Sequence, residues 1–437
     1  MTKQIRNNTL YFDGCDARAL AKKYGTPLYV FSETDMASRF AELRKAFLSK
    51  WENTRVAYAC KAFCCTAMLK LCEREGVCID VVSGGELYAA IKSGFPADRI
   101  EFNGNNKLPS ELELAVEYGI GRIIIDSPQE LKLIEGICAA KSRKMNVLYR
   151  ITPGIKVDTH DYIVTGKKDS KFGFPLDDDV ILPAVEAAIR SRYVNLMGFH
   201  FHIGSQLHAR DGYLKALEVM LKLVRDARAQ FAFETKELNV GGGFGITYTN
   251  EERKPYAYYL DPIMERMESF FRDLGVKRPN VVIEPGRSIV GEAGMSLYTV
   301  GAIKDIKGVR KYVSVDGGMT DNIRPALYQA VYTGILANRA EERAAETVTV
   351  CGKCCESGDV LVRDIALPEA KPGDLFAMFS TGAYGYSMAS NYNLNPLPAV
   401  VLVREGRDEL IVRRQSYDDM LQNNLIPDSL REQDEVV

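Results

Sequence analysis

The sequence predicts an α/β fold, a (β/α)8 TIM-type barrel with a second, mainly antiparallel β-domain. Between about residue 35 and Gly286, eight short apolar runs alternate with longer helical patterns, and parallel strands need helical crossovers to connect them. Polar and glycine-rich residues follow these runs one after another. In a barrel those positions share the C-terminal rim, where barrel enzymes build their sites. Beyond about Ser288 the rhythm changes to short strands punctuated by turns, which predicts the second domain.

Taken in order, Thr9–Phe12 and Pro27–Phe31 are strand-like and carry no evident chemistry. Val56–Cys60 opens the barrel: Val56, Tyr58 and Cys60 alternate with small residues at the period of a buried strand, and Lys61 follows where it should open into a loop. The other expected strands are Cys78–Val82, Ile100–Asn103, Ile123–Asp126, Val147–Ile151, Leu196–Phe201, Leu238–Gly241 and Val281–Glu284. Helical stretches such as Glu86–Ser93, Ser110–Tyr118, Pro128–Lys141, Gly212–Gln230 and Pro262–Leu274 lie between them, several followed by the glycine that stops a helix. The barrel is expected over residues 35–286, and residues 1–34 with 287–437 are expected to form the β-domain. Its strands are Tyr312–Val315, Thr347–Cys351, Leu375–Phe379, Ala399–Val403 and Glu409–Val412, with a hairpin turn at Arg404-Glu405-Gly406-Arg407.

A chain of 437 residues exceeds what one core usually serves, in keeping with two domains. Its 46% hydrophobic and 26% charged residues are those of an ordinary globular protein. A net charge of −2 argues against nucleic acid or an anionic membrane as partner and leaves small molecules and protein subunits. The N-terminus lacks the apolar core of a signal peptide and no apolar run approaches membrane-spanning length, so a cytoplasmic protein is expected. Ten cysteines then read as reduced thiols, and the lone Cys351-x-x-Cys354 has no second pair at zinc spacing, so no metal is expected.

Lys61 is oddly placed. An ammonium at an apolar strand end is costly to desolvate, so it is paired, turned to solvent, or used as a nucleophile. Gly241-Gly242-Gly243 after the seventh strand offers unobstructed backbone N–H groups that suit a phosphate, or else a tight turn. Glu284, at the end of the eighth strand, can keep a heterocyclic nitrogen protonated or make an internal salt bridge with Arg287 or Lys61. His200 and His202 fall on one face of a strand by alternation; they read as metal ligands, as a flat ring against a planar cofactor, or as core residues. Arg324 and Tyr328 stand four apart, on one face if helical, and an arginine fork suits a carboxylate. Cys354-Cys355-Glu356-Ser357-Gly358-Asp359 sets thiols beside carboxylates.

Together these motifs resemble the fold-type III pyridoxal-phosphate decarboxylases over essentially the whole chain. The residues that carry the resemblance are Tyr58-Ala59-Cys60-Lys61-Ala62, Gly198 to Gln206, Gly241-Gly242-Gly243, Glu284-Pro285-Gly286-Arg287, Cys355-Glu356-Ser357-Gly358-Asp359 and Gly382-Ala383-Tyr384. The long Thr152–Pro175 loop is also similar to the family's, with His160, Thr165-Gly166 and Ser170-Lys171-Phe172-Gly173 in order. The chain departs from the family pattern at Lys353-Cys354, after Gly352, and at Phe63.

The resemblance implies pyridoxal 5'-phosphate as cofactor, with Lys61 its covalent attachment point, His202 stacked on its ring and Glu284 on its ring nitrogen. It places Ser205, Gly242, Gly243, Gly286, Arg287 and Tyr384 around the cofactor, with the phosphate held by Ser205, Gly243 and Tyr384. Arg287, Arg324, Tyr328 and Tyr384 then face the substrate carboxylate, and Glu356 its distal amine. Cys355 is the implied acid, entering from a second subunit, so a homodimer with shared active sites follows. The implied substrate is an amino acid, meso-2,6-diaminopimelate, converted to L-lysine and CO2. Carboxynorspermidine, ornithine and arginine are the alternatives. Two arginines in addition to Glu356 suit a substrate with a second carboxylate and a second amine.

Overall fold

The computed structural model describes residues 2–155 and 169–431; His160, Thr165 and Gly166 lie outside the described residues. Eight parallel strands close a barrel: Thr54–Ala59, Cys78–Val81, Ile100–Phe102, Arg122–Ile125, Met145–Ile151, Val194–Phe201, Glu237–Asn239 and Asn280–Ile283. The eighth closes on the first, with Val281 opposite Thr54 and Ile283 opposite Val56. Each strand ends within two residues of where apolar alternation put it.

The crossover helices bury one apolar face each on the barrel. Asp211–Phe231 buries Tyr213, Ala216, Leu217, Met220, Leu221 and Val224 at helical spacing. The helix expected from Pro262 instead runs Tyr256–Asp273, six residues earlier, with the proline inside it. An interior proline costs about 3 kcal/mol, but the face that includes Tyr256, Tyr259, Leu260, Ile263, Met264 and Met267 is buried, at roughly 1.5–3 kcal/mol per large side chain. Packing wins over propensity.

The second domain is organised around Gly294–Ile306, a strand of 13 residues that the sequence pattern did not reveal. It pairs antiparallel with Leu28–Ser32, Leu375–Phe379 and Arg310–Val315. Its first half is buried on both faces, which erases the alternation that betrays a half-exposed strand. Ala399–Arg404 and Arg407–Val412 form the expected hairpin. Glu405 (φ +49°) and Gly406 (φ +84°) both occupy the left-handed region at its turn, as a two-residue hairpin requires. Leu28–Ser32 lies inside the large sheet, whereas Thr9–Phe12 belongs to a separate three-stranded sheet whose Leu10 and Phe12 pack against it. Among the described residues no helix is long and apolar enough to cross a membrane.

The two domains meet at the barrel's C-terminal rim. Tyr384 N–H donates to Ala62 O at 2.8 Å and Ser387 Oγ to the same oxygen at 3.1 Å. A loop of the β-domain thus rests on the turn that carries Lys61.

Candidate active site

Lys61 sits in a single 3-10 turn, Cys60–Ala62, directly after the first barrel strand. The turn is held from three sides. Pro285 O accepts from Ala59 N–H at 3.1 Å, the Tyr384 loop caps Ala62, and the buried Tyr58 hydroxyl donates to Phe63 O at 2.8 Å. Phe63 stacks on Phe31 with ring centroids 4.3 Å apart, so this departure from the family pattern ties the lysine turn to the β-domain strand Leu28–Ser32. The Lys61 side chain enters a cavity of about 380 Å³ lined also by His202, Ser205, Gly243, Glu284, Gly286, Arg287, Arg324, Tyr328 and Tyr384. That volume suits a small ligand.

The cavity floor is polar and buried. Glu284 accepts from Asn103 Nδ2 at 3.1 Å and Asn239 Nδ2 at 2.8 Å, and His200 Nε2 lies 3.1 Å from its carboxylate. Its partner is therefore neither Arg287 nor Lys61, the two salt bridges the sequence left open. Burial alone would push the Glu284 carboxyl up, but the charge and hydrogen bond of His200, with Lys61 nearby, hold it well below the ordinary carboxylate range. Asp80, bridged to Glu284 through Asn103 (2.7 Å), is pushed well above its ordinary value by burial and by the Glu284 charge. The floor therefore keeps its negative charge on Glu284.

On the rim, Gly242 N–H donates to His202 Nδ1 at 3.3 Å, which sets the ring's orientation. The strand ends at Phe201, so His202 stands just beyond it while His200 is part of it. Burial, with Lys61 and Arg150 close by, holds the His202 imidazole well below its ordinary value, and the ring is neutral. Gly243 has φ +104°, and a Cβ there would lie 2.2 Å from Gly204 O; one on Gly242 would lie 1.9 Å from Glu284 O. Only glycine fits either place.

Arg287 and Arg324 are 5% and 6% exposed and both line the cavity. Arg287 donates from Nε and Nη2 to Ser205 Oγ (3.2 and 3.1 Å) and from Nη1 to the Tyr248 hydroxyl. Arg324, at the start of the short helix Arg324–Tyr328, donates from Nε to the Tyr332 hydroxyl at 2.8 Å. Among the described residues neither guanidinium pairs with a carboxylate. A buried charge without a counter-ion is expensive, so this pocket is built to receive anions.

Cys355 and Glu356 do not line this cavity. Both are exposed, in a loop held by Asp359, whose carboxylate accepts from Met319 N–H and Cys354 N–H at 2.6 and 2.8 Å. All ten cysteines are free thiols. Sequence reasoning passed over His200, Asn103 and Asn239 as partners of Glu284, and Tyr248 and Tyr332 as partners of the arginines. It also missed Arg150, buried in the cavity wall with its guanidinium 4.3 Å from the Phe172 ring centroid. His200 carried a signal in the histidine pair and Asn103 in a polar cluster after a strand, but neither pointed to Glu284.

The described residues fit pyridoxal phosphate. An ionised buried carboxylate suits a protonated ring nitrogen, the glycine turn with Gly243 in the cavity wall suits a phosphate, and Lys61 opens into the same cavity. This defines a class, a lysine-centred pyridoxal enzyme on a parallel barrel. Residues 34–291 match the family described as pyridoxal-dependent decarboxylase, pyridoxal binding domain. The diaminopimelate decarboxylase of Bacillus subtilis is 49% identical, with 97% of each chain covered, and that of Staphylococcus aureus 40%, covering 97% of this chain and 99% of the other. The crystal structure of diaminopimelate decarboxylase from M. jannaschii in complex with L-lysine superposes with a TM-score of 0.92 at 37% identity, covering 98% of this chain and 99% of that one. The chain belongs to the diaminopimelate decarboxylase family of pyridoxal-dependent decarboxylases.

Proposed function

We propose that this protein decarboxylates meso-2,6-diaminopimelate to L-lysine and CO2, using pyridoxal phosphate held at Lys61. The observation that carries the substrate reading is the pair of buried, counter-ion-free arginines, Arg287 and Arg324, facing the same cavity as Lys61 and Glu284. A phosphate and a second substrate carboxylate supply the missing anions.

When bound, the cofactor supplies an electron sink for the electron pair of the breaking C–C bond. Lys61 would be its attachment point, and its amine opens into the cavity that would take the substrate. Glu284 stays ionised and would keep a ring nitrogen protonated, an electrostatic contribution already organised before reaction. Neutral His202 would offer a flat face to the ring, Ser205, Gly243 and Tyr384 would hold the phosphate with Gly242 and Gly286 beside the cofactor, and Arg287, bonded to Ser205, would serve both cofactor and substrate. Arg324, Tyr328 and Tyr384 orient the carboxylate that is retained.

Among the described residues the cavity lining of one copy holds no thiol, and the reaction needs an acid to protonate the carbon that loses CO2. Cys355 supplies that proton and Glu356 binds the distal amine, both reaching a neighbouring site from a second copy of this chain. The active form is thus a homodimer with shared sites.

Purified protein supplied with pyridoxal phosphate should release CO2 and L-lysine in equal amounts from meso-diaminopimelate. It should release little from L-ornithine, L-arginine or carboxynorspermidine. Faster release from one of these three overturns the substrate reading.

A further inference from the structure

Arg287 stands just past the last barrel strand and Arg324 within the β-domain, 37 positions later in the chain, so something must hold their spacing. Tyr248, in the loop after the glycine turn, is bonded through its hydroxyl to Arg287 Nη1, and Tyr332, just after the Arg324 helix, to Arg324 Nε. The two tyrosine rings meet edge to face, with centroids 5.2 Å apart and planes at 87°. Both tyrosines are buried, in one apolar cluster with Ile246, Tyr298 and Phe376. The chain of contacts is therefore continuous: guanidinium, phenol, phenol, guanidinium.

We propose that Tyr248 and Tyr332 are positioning residues that fix the spacing and tilt of the Arg287 and Arg324 forks, and so make the site selective for a substrate with a second carboxylate. This rests on the reading of the two arginines as carboxylate binders. A flexible arginine loses much of its rotamer freedom on binding, and a fork already held at one edge loses less. Tyr332 bonds the Nε edge of Arg324, which leaves its two terminal nitrogens for the bidentate bond a carboxylate would make. Burial pushes the Tyr332 hydroxyl up to about 12, with Tyr248 adding to the rise and Arg324 opposing it, so the phenol remains a neutral acceptor for the guanidinium. The edge-to-face contact gives the pair stiffness that two separate hydrogen bonds would lack.

The test uses the holoenzyme with Tyr248→Phe and Tyr332→Phe, which keep the ring contact and remove only the hydroxyl. Dissociation constants of L-lysine and of 1,5-diaminopentane, which lacks lysine's carboxylate, are measured by titration calorimetry. Each variant is expected to bind L-lysine about tenfold more weakly, the scale of one hydrogen bond to a charged group. Binding of 1,5-diaminopentane should change less than twofold. In steady state KM for meso-diaminopimelate should rise in the same proportion while kcat moves little. Unchanged lysine binding in both variants overturns the proposal, as does an equal loss for both ligands, which marks a merely structural role. If wild-type protein itself binds lysine no better than 1,5-diaminopentane, the arginines do not read a carboxylate, and the underlying reading fails together with this one.

Discussion

His200 Nε2 lies 3.1 Å from the Glu284 carboxylate on a barrel floor where both residues are buried. The contact outweighs the burial that would otherwise neutralise Glu284. Glu284→Gln preserves shape but removes the charge. Its kcat should fall by about 100-fold or more, the scale of losing one preorganised electrostatic contact, in a CO2-release assay at saturating substrate. A loss below about threefold would mean that the charge is not used.

Gly243 is expected to tolerate no side chain. Gly243→Ala places a Cβ 2.2 Å from Gly204 O at a φ of +104°, a strain on the order of 1–3 kcal/mol. Spectroscopic titration with pyridoxal phosphate should show affinity weakened by about 10- to 100-fold, while the circular dichroism of the barrel stays that of the wild type.

Sharing of sites between subunits has an arithmetic signature. Lys61→Ala and Cys355→Ala homodimers should each be nearly inactive. Mixed and re-equilibrated, half of the dimers are hybrids with one intact site, so activity should recover to about one quarter of wild type. No recovery, after mass spectrometry has verified hybrids, would place Cys355 outside its neighbour's site.

Asp321, buried beside Tyr29 and Gly318, is pushed up to about 7, chiefly by burial. Its native-state value lies above the ordinary carboxylate value of about 4, so between these limits the native protein holds a proton that the unfolded chain has released. Stability should therefore fall as pH rises from about 4 to about 7 and level off above. Asp321→Asn should flatten that part of the Tm against pH profile.

Much of the barrel could be read because its strands are short, apolar and followed by polar groups, and Lys61, Gly243 and Glu284 stand where those runs end. The hub strand Gly294–Ile306 escaped because it is buried on two faces. The floor escaped for another reason: Asn103, His200, Asn239 and Glu284 lie in or just after four different strands, and closure of the barrel, not any local pattern, makes them neighbours. Tyr248 and Tyr332 belong to no motif that the sequence offers, since only the fold sets a guanidinium beside each.

The most direct measurement is kcat/KM for meso-diaminopimelate against L-ornithine, taken for wild type and for Arg324→Met. If Arg324 binds the second carboxylate, wild type should strongly prefer diaminopimelate, and the variant should lose about 100-fold or more of that preference, as expected when a buried charge-assisted contact is removed. A variant that keeps the wild-type preference would contradict the assignment of this cavity to a substrate with two carboxylates.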